Sequence, residues 1–147
     1  VYPQGKITLL AGEKNLALHF VTIPEWHTYW KNSGDSGAAP LLQLENANFQ
    51  IVKMLWSFPK RISVEGITNY GYENESLLLL ETDLKDSQRP EGSLNLEILV
   101  CKVECIPYIT TLKIPQNNQQ AFIDQLLEKH PLPLDSPNSF QLDLIQE

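Results

Sequence analysis

Leu94-Asn95-Leu96-Glu97-Ile98-Leu99-Val100-Cys101-Lys102-Val103-Glu104-Cys105-Ile106-Pro107-Tyr108-Ile109-Thr110-Thr111-Leu112-Lys113-Ile114 is the stretch that decides the fold. Leu94, Leu96, Ile98 and Val100 alternate with Asn95 and Glu97, the period-two pattern of a half-buried strand. Ile109 to Ile114 is rich in β-branched residues and reads as the returning strand. The simplest arrangement is a β-hairpin with Lys102, Val103 and Glu104 at its tip. Such a tip sets Cys101 opposite Cys105 at a Cα separation of about 4.5–5.5 Å, within reach of a disulfide. A single helical turn also brings i and i+4 together, but Pro107 and the β-branched flank oppose it. Both cysteines of the chain lie in this hairpin.

A bridge between them closes a ring of only five residues. On the loop-entropy estimate it contributes about 2 kcal/mol, less than a long-range bridge. An immunoglobulin-type staple instead joins cysteines far apart in sequence. From the residues alone, a structural staple and a redox-active pair both stand. The small ring predicts that reduction leaves the fold intact.

Outward from the hairpin, the chain reads as short strands with turn chemistry between them. Lys6 to Ala11 and Leu16 to Ile23 are strands joined by Gly12-Glu13-Lys14-Asn15. Leu16, Leu18, Phe20 and Thr22 share one face, with Ala17, His19 and Val21 on the other. His19 in that setting reads as a surface or satisfied histidine rather than a ligand. Trp26-His27-Thr28-Tyr29-Trp30 puts three large aromatics within five residues, the mark of a core corner. Lys31 to Gly37 reads as a loop. Leu41 to Leu44 and Phe49 to Leu55 are strand candidates, Ile62 to Ile67 another, and Asn69 to Asn74 a loop. Glu75 to Thr82 is an apolar strand. The period changes only after the hairpin: Asn117 and Asn118 are N-cap candidates for a helix to His130, with Phe122/Leu126 and Ile123/Leu127 pairing along it. Pro131 stops it. The pattern predicts an all-β sandwich with one short C-terminal helix, over residues 1–130. Residues 131–147 read as a linker or the start of a further strand, with Phe140 to Leu144 the strand candidate.

The chain has 147 residues, 42% hydrophobic and 20% charged, enough for one domain with a substantial core. Its net charge of −7, with no Lys/Arg cluster, argues against a nucleic-acid partner. No apolar run approaches the length of a membrane span. The start at Val1, without an initiator Met, reads as a mature or excised piece, with any targeting signal or membrane part outside it. Two cysteines fit an oxidising compartment. Phosphate loops, G-x-S-x-G elbows and H-E-x-x-H metal motifs are absent from the sequence.

Three ordered blocks carry a resemblance. The first is Trp26 to Asn32 with Gly34-Asp35-Ser36-Gly37. The second is Trp56 with Phe58-Pro59, then Tyr70-Gly71-Tyr72-Glu73. The third is Val100-Cys101 with Cys105-Ile106-Pro107. Together they resemble the N-terminal periplasmic domain of DsbD and ScsB-type thiol:disulfide interchange proteins. The resemblance implies an immunoglobulin-like sandwich acting as a periplasmic electron relay, without organic or metal cofactor. A membrane-embedded and a thioredoxin-like module reduce its cysteine pair, which then reduces thioredoxin-fold partners such as disulfide isomerases. Membrane contact comes only through parts of the parent protein outside this chain. By position, Cys101 and Cys105 are the redox pair, Cys105 meeting partners and Cys101 resolving. Asn69, Tyr70, Gly71 and Tyr72 fall at the family's cap loop, with Asn69 where well-known members carry an aromatic. His27, Tyr29 and Pro107 fall around the active site. The other functions are soft-metal binding, such as copper, by the two thiolates with His27 or another ligand, and a scaffold with an inert disulfide.

Overall fold

The structure, a computed structural model, describes residues 2–133 of the chain. Its elements are Gly5–Ala11 (β1), Asn15–Thr22 (β2), His27–Gly34 (β3), Leu41–Glu45 (β4), Ile51–Trp56 (β5), Lys60–Val64 (β6), Ile67–Glu73 (β7), Glu75–Thr82 (β8), Ser93–Cys101 (β9), Cys105–Lys113 (β10) and the helix Gln120–Lys129 (α1). One sheet runs β1-β2-β8-β5 and the other β10-β9-β3-β7-β6, all antiparallel, with β4 also paired to β9. This is the β-sandwich expected from the strand pattern, of the immunoglobulin-like kind that the resemblance implies.

The alternation in β9 does what period two requires. Leu94, Leu96, Ile98 and Val100 point into the space between the sheets, where they meet Leu16, Leu18, Phe20, Leu78 and Leu80. The other face of β2 and β8 is not left to solvent. Leu10, Ala17, Leu77 and Leu79 lie under α1, which covers them with Ile123 and Leu126. Hence Leu77 to Leu80 is apolar without alternation: β8 is buried on both faces. The helix seam is Ile123/Leu126 with Leu127 at its border, while Phe122 faces water, so the expected Phe122/Leu126 pairing is not the packing one. The helix opens at Gln120 rather than directly after Asn117 or Asn118, and the Asn118 Oδ1 accepts the Gln120 N–H at 2.9 Å.

Two segments expected to be loops are strands. β3 continues through Lys31, Asn32 and Ser33 to Gly34, held by β7 across an irregularity after Tyr29. The polar composition reflects an exposed stretch of strand, not a turn. Asn69 to Glu73 is β7, paired with both β3 and β6. The break falls earlier, inside the span Ile62 to Ile67 that the sequence offers as one strand. Glu65 and Gly66 both take positive φ, 52° and 80°, and turn β6 into β7 as a two-residue hairpin. Of the tail expected as linker or strand, 131–133 have no regular structure, and 134–147, with Phe140 to Leu144, lie outside the described residues. Among the described residues no helix is long and apolar enough to cross a membrane.

Candidate active site

Cys101 ends β9 and Cys105 begins β10, directly opposed in register, with Cα atoms 4.1 Å apart and their sulfurs bonded. The tip closes through the Lys102 N–H donating to the Glu104 carbonyl at 3.0 Å. Since Leu94 to Val100 spend their even positions on the core, Cys101 takes the outer face of the six-stranded sheet. The two sulfurs differ in surroundings. Cys101 is 1% exposed, whereas Cys105 is open to solvent.

Burial of Cys101 comes from β3. His27 pairs with Cys101 in register, and Tyr29, two residues on, shares its face. The His27 Nε2 lies 3.1 Å from the Tyr29 hydroxyl, and that hydroxyl lies 3.9 Å from the Cys105 Sγ. The two rings meet edge to face at 5.1 Å. Burial pushes the His27 imidazole below its ordinary pKa, against an upward pull from Glu73, and favours its neutral form. Burial likewise raises the Tyr29 phenol, which keeps its proton. A neutral imidazole, a hydroxyl and a sulfur are thus aligned.

The segment after β3 holds Tyr29 in place. A Cβ on Gly37, whose φ is 76°, would fall 2.3 Å from the Tyr29 ring, so only glycine lets the ring lie there. Asp35 exchanges hydrogen bonds with Thr68: its N–H donates to the Thr68 carbonyl, and its carboxylate accepts the Thr68 N–H, each at 2.9 Å. The Asn69 Oδ1 accepts the Ser36 N–H at 2.9 Å. This is the physical content of Gly34-Asp35-Ser36-Gly37: a clip tying the end of β3 to β7 beneath the tyrosine.

A pocket of about 70 Å³ opens over the disulfide, lined by His27, Tyr29, Asn69, Cys101 and Cys105, the tip residues Lys102 and Val103, and Val64, Glu65 and Ile67 of the β6–β7 hairpin. Of the residues expected at a cap, Asn69 reaches this pocket. Gly71 packs under the Thr28 carbonyl, where a Cβ would fall 2.0 Å from that oxygen. Tyr70 and Tyr72 take the opposite face of β7: Tyr72 is in the core, and Tyr70 meets Trp30 edge-on at 6.4 Å. The overhanging residues are those of the β6–β7 turn. Pro107 lies two residues past Cys105 on the exposed side of β10 and does not line the pocket. Lys102, adjacent to Cys101, sends its ammonium 2.8 Å from the Glu25 carboxylate, and that hydrogen bond holds Glu25 below the usual carboxylate range.

A search of curated protein sequences finds no match. Among solved structures, the chain is similar to the N-terminal periplasmic domain of ScsB from Proteus mirabilis, with a TM-score of 0.60 and 23% identity over 88% of this chain. It spans 56% of that chain's length. It is also similar to the DsbD N-terminal domain of Neisseria meningitidis, crystallised in the reduced form, with a TM-score of 0.60 and 12% identity over 80% of this chain and 90% of that one. At these identities the likeness establishes the sandwich. The sequence profile described as "Thiol:disulfide interchange protein DsbD, N-terminal" matches residues 3–117, and that span contains both cysteines. The chain therefore belongs to the family of DsbD N-terminal thiol:disulfide interchange domains, with Cys101 and Cys105 as its disulfide-forming pair.

Proposed function

We propose that the domain is a periplasmic relay that passes two electrons from a reducing thioredoxin-like module to the disulfides of thioredoxin-fold partners. In the reduced state the Cys105 thiolate attacks one sulfur of a partner disulfide. A bond forms between Cys105 and that sulfur as the partner's other sulfur leaves as thiolate. The Cys101 thiolate then attacks the Cys105 Sγ, restoring the Cys101–Cys105 bond and releasing the partner's second thiolate. The partner is reduced by two electrons and the domain is oxidised by two. The reverse sequence with the reducing module reloads the pair, and no organic or metal cofactor enters.

The observation that carries this reading is the asymmetry within one hairpin: Cys105 exposed, Cys101 buried beside it. An incoming sulfur meets Cys105 first, and the resolving sulfur waits in register. Tyr29 supports the same assignment, since its hydroxyl is within reach of the Cys105 sulfur and donates to a thiolate there. The β6–β7 turn serves as the cap, taking the role expected of Asn69 to Asn74. The test is a pair of variants, Cys101→Ser and Cys105→Ser, each incubated with an oxidised thioredoxin-fold protein. The expected result is a mixed disulfide from Cys101→Ser and none from Cys105→Ser. The reverse pattern exchanges the two roles. Failure of both, with a wild-type disulfide that resists thioredoxin-range reductants, returns the pair to a structural staple.

A further inference from the structure

The face of the four-stranded sheet beneath α1 points away from the disulfide and carries a second group of chemically capable side chains. His19 stands on β2, Glu75 opens β8, and His130 caps the C-terminal end of α1, its N–H donating to the Leu126 carbonyl at 2.7 Å. The docking of Ile123 and Leu126 brings these three elements together. The His19 Nε2 lies 2.5 Å and the His130 Nε2 3.2 Å from the same Glu75 Oε2. The three donor atoms all fall within 4.8 Å of one another. The side chains are largely shielded, at 16%, 24% and 16% exposure for His19, Glu75 and His130.

Hydrogen bonding leaves this group incomplete. His19 is matched to the carboxylate. The His130 Nε2, though near the same oxygen, is buried without a hydrogen-bond partner. An orphaned buried ring nitrogen carries a desolvation cost that a ligand would relieve. Lys129 reaches the other carboxylate oxygen at 3.2 Å, but its side chain is 66% exposed and free to swing into water. A cation of higher charge can then take its place beside Glu75.

We propose that His19, Glu75 and His130 form a binding site for a zinc ion, with the fourth coordination position open to solvent. Two imidazoles and one carboxylate form a donor set suited to zinc, and too rich in nitrogen for calcium or magnesium. In a tetrahedral zinc site with bonds of 2.0–2.1 Å the donors stand about 3.3 Å apart. Donors up to 4.8 Å apart must therefore close by about 1.5 Å at most, a movement that His130 at the end of its helix is placed to supply, while the 2.5 Å His19–Glu75 pair opens by about 0.8 Å. Bound there, the ion ties α1 to β2 and β8 independently of the cysteines.

The experiment uses the oxidised protein, so that both sulfurs are withheld from the metal. Zinc chloride is titrated into the metal-free chain by calorimetry while the imidazole ring signals of all three histidines are followed by NMR. The expected result is saturable uptake of one ion per chain, with the His19 and His130 signals shifting and that of His27 unmoved. His19→Gln and His130→Gln should each weaken uptake by more than about ten-fold. The ring signals decide the question even if either variant folds poorly. Absence of saturable uptake, uptake that survives both substitutions, or a shift confined to His27 overturns the proposal and leaves the cluster as an ion pair that anchors the helix.

Discussion

Cys101 and Cys105 face each other across one turn, yet a single parity rule gives them different neighbours. The positions that feed the core from β9 are even, so Cys101 must lie outside, on the strip shared with His27, Tyr29 and Asn69. The same rule was available for the Tyr70-Gly71-Tyr72 triplet. Once that triplet is a strand, its tyrosines cannot share the face of Asn69, and neither lines the pocket at the disulfide. Local charge, read from sequence, favours a thiolate at Cys101 through Lys102 and disfavours one at Cys105 through Glu104. In the fold Lys102 is engaged by Glu25, and Tyr29 reaches Cys105 instead. No spacing in the sequence announces that contact, because it joins residues 76 positions apart. Tyr29→Phe removes the donor and leaves the ring. The Cys105 thiolate in the reduced protein then loses about 1 kcal/mol of stabilisation. At neutral pH its alkylation by iodoacetamide should slow by about two- to five-fold, and the half-maximal rate should move to higher pH. An unchanged pH profile would show that the hydroxyl does not act on the sulfur.

At the scale of elements, the β9–β10 hairpin and β8 were legible because burial wrote itself into their composition, by alternation in one and by an unbroken apolar run in the other. β3 beyond Tyr29 was not, because an exposed strand of Lys, Asn and Ser carries no burial signal and its pairing with β7 is set by tertiary contact. The β6–β7 turn was missed for a different reason. Glu65-Gly66 is a two-residue tip between β-branched residues, a hairpin signal short enough to pass as one strand with a glycine in it. Val64, Glu65 and Ile67 of that turn line the pocket at the disulfide, which makes the turn the segment to test for control of access. Val64→Ala and Ile67→Ala shorten the overhang without touching the positive-φ pair that makes the turn. Together they should speed alkylation of the reduced pair by a bulky maleimide by about three-fold, an effect of less than 1 kcal/mol on opening. Tyr70→Ala should leave the rate alone, since its ring lies on the other face against Trp30. Faster alkylation from Tyr70→Ala and none from the turn variants would restore the cap to the Asn69 to Asn74 segment.

For the molecule as a whole, the question is whether a pair that must open and close in function also holds the fold. The four-stranded sheet is covered twice, by the other sheet on one face and by α1 on the other, and neither covering involves a cysteine side chain from its strands. The disulfide ties neighbouring strands that are already paired from Cys101↔Cys105 to Ser93↔Lys113. Its ring closes only five residues, so the unfolded chain loses little freedom by having it, about 2 kcal/mol on the loop-entropy estimate. A domain of this size has about 5–15 kcal/mol of stability in total, so most of it survives the loss. Thermal unfolding followed by circular dichroism, with and without dithiothreitol, should give two cooperative transitions separated by about 4–8 °C, the reduced form lower. By contrast Leu78→Ala, which opens a cavity between the sheets, should cost about 2–5 kcal/mol in either redox state. If reduction instead abolishes the transition at 25 °C while Leu78→Ala is mild, the ranking is inverted. The hairpin bridge is then a staple, and a domain that unfolds whenever it is reduced cannot carry electrons between partners.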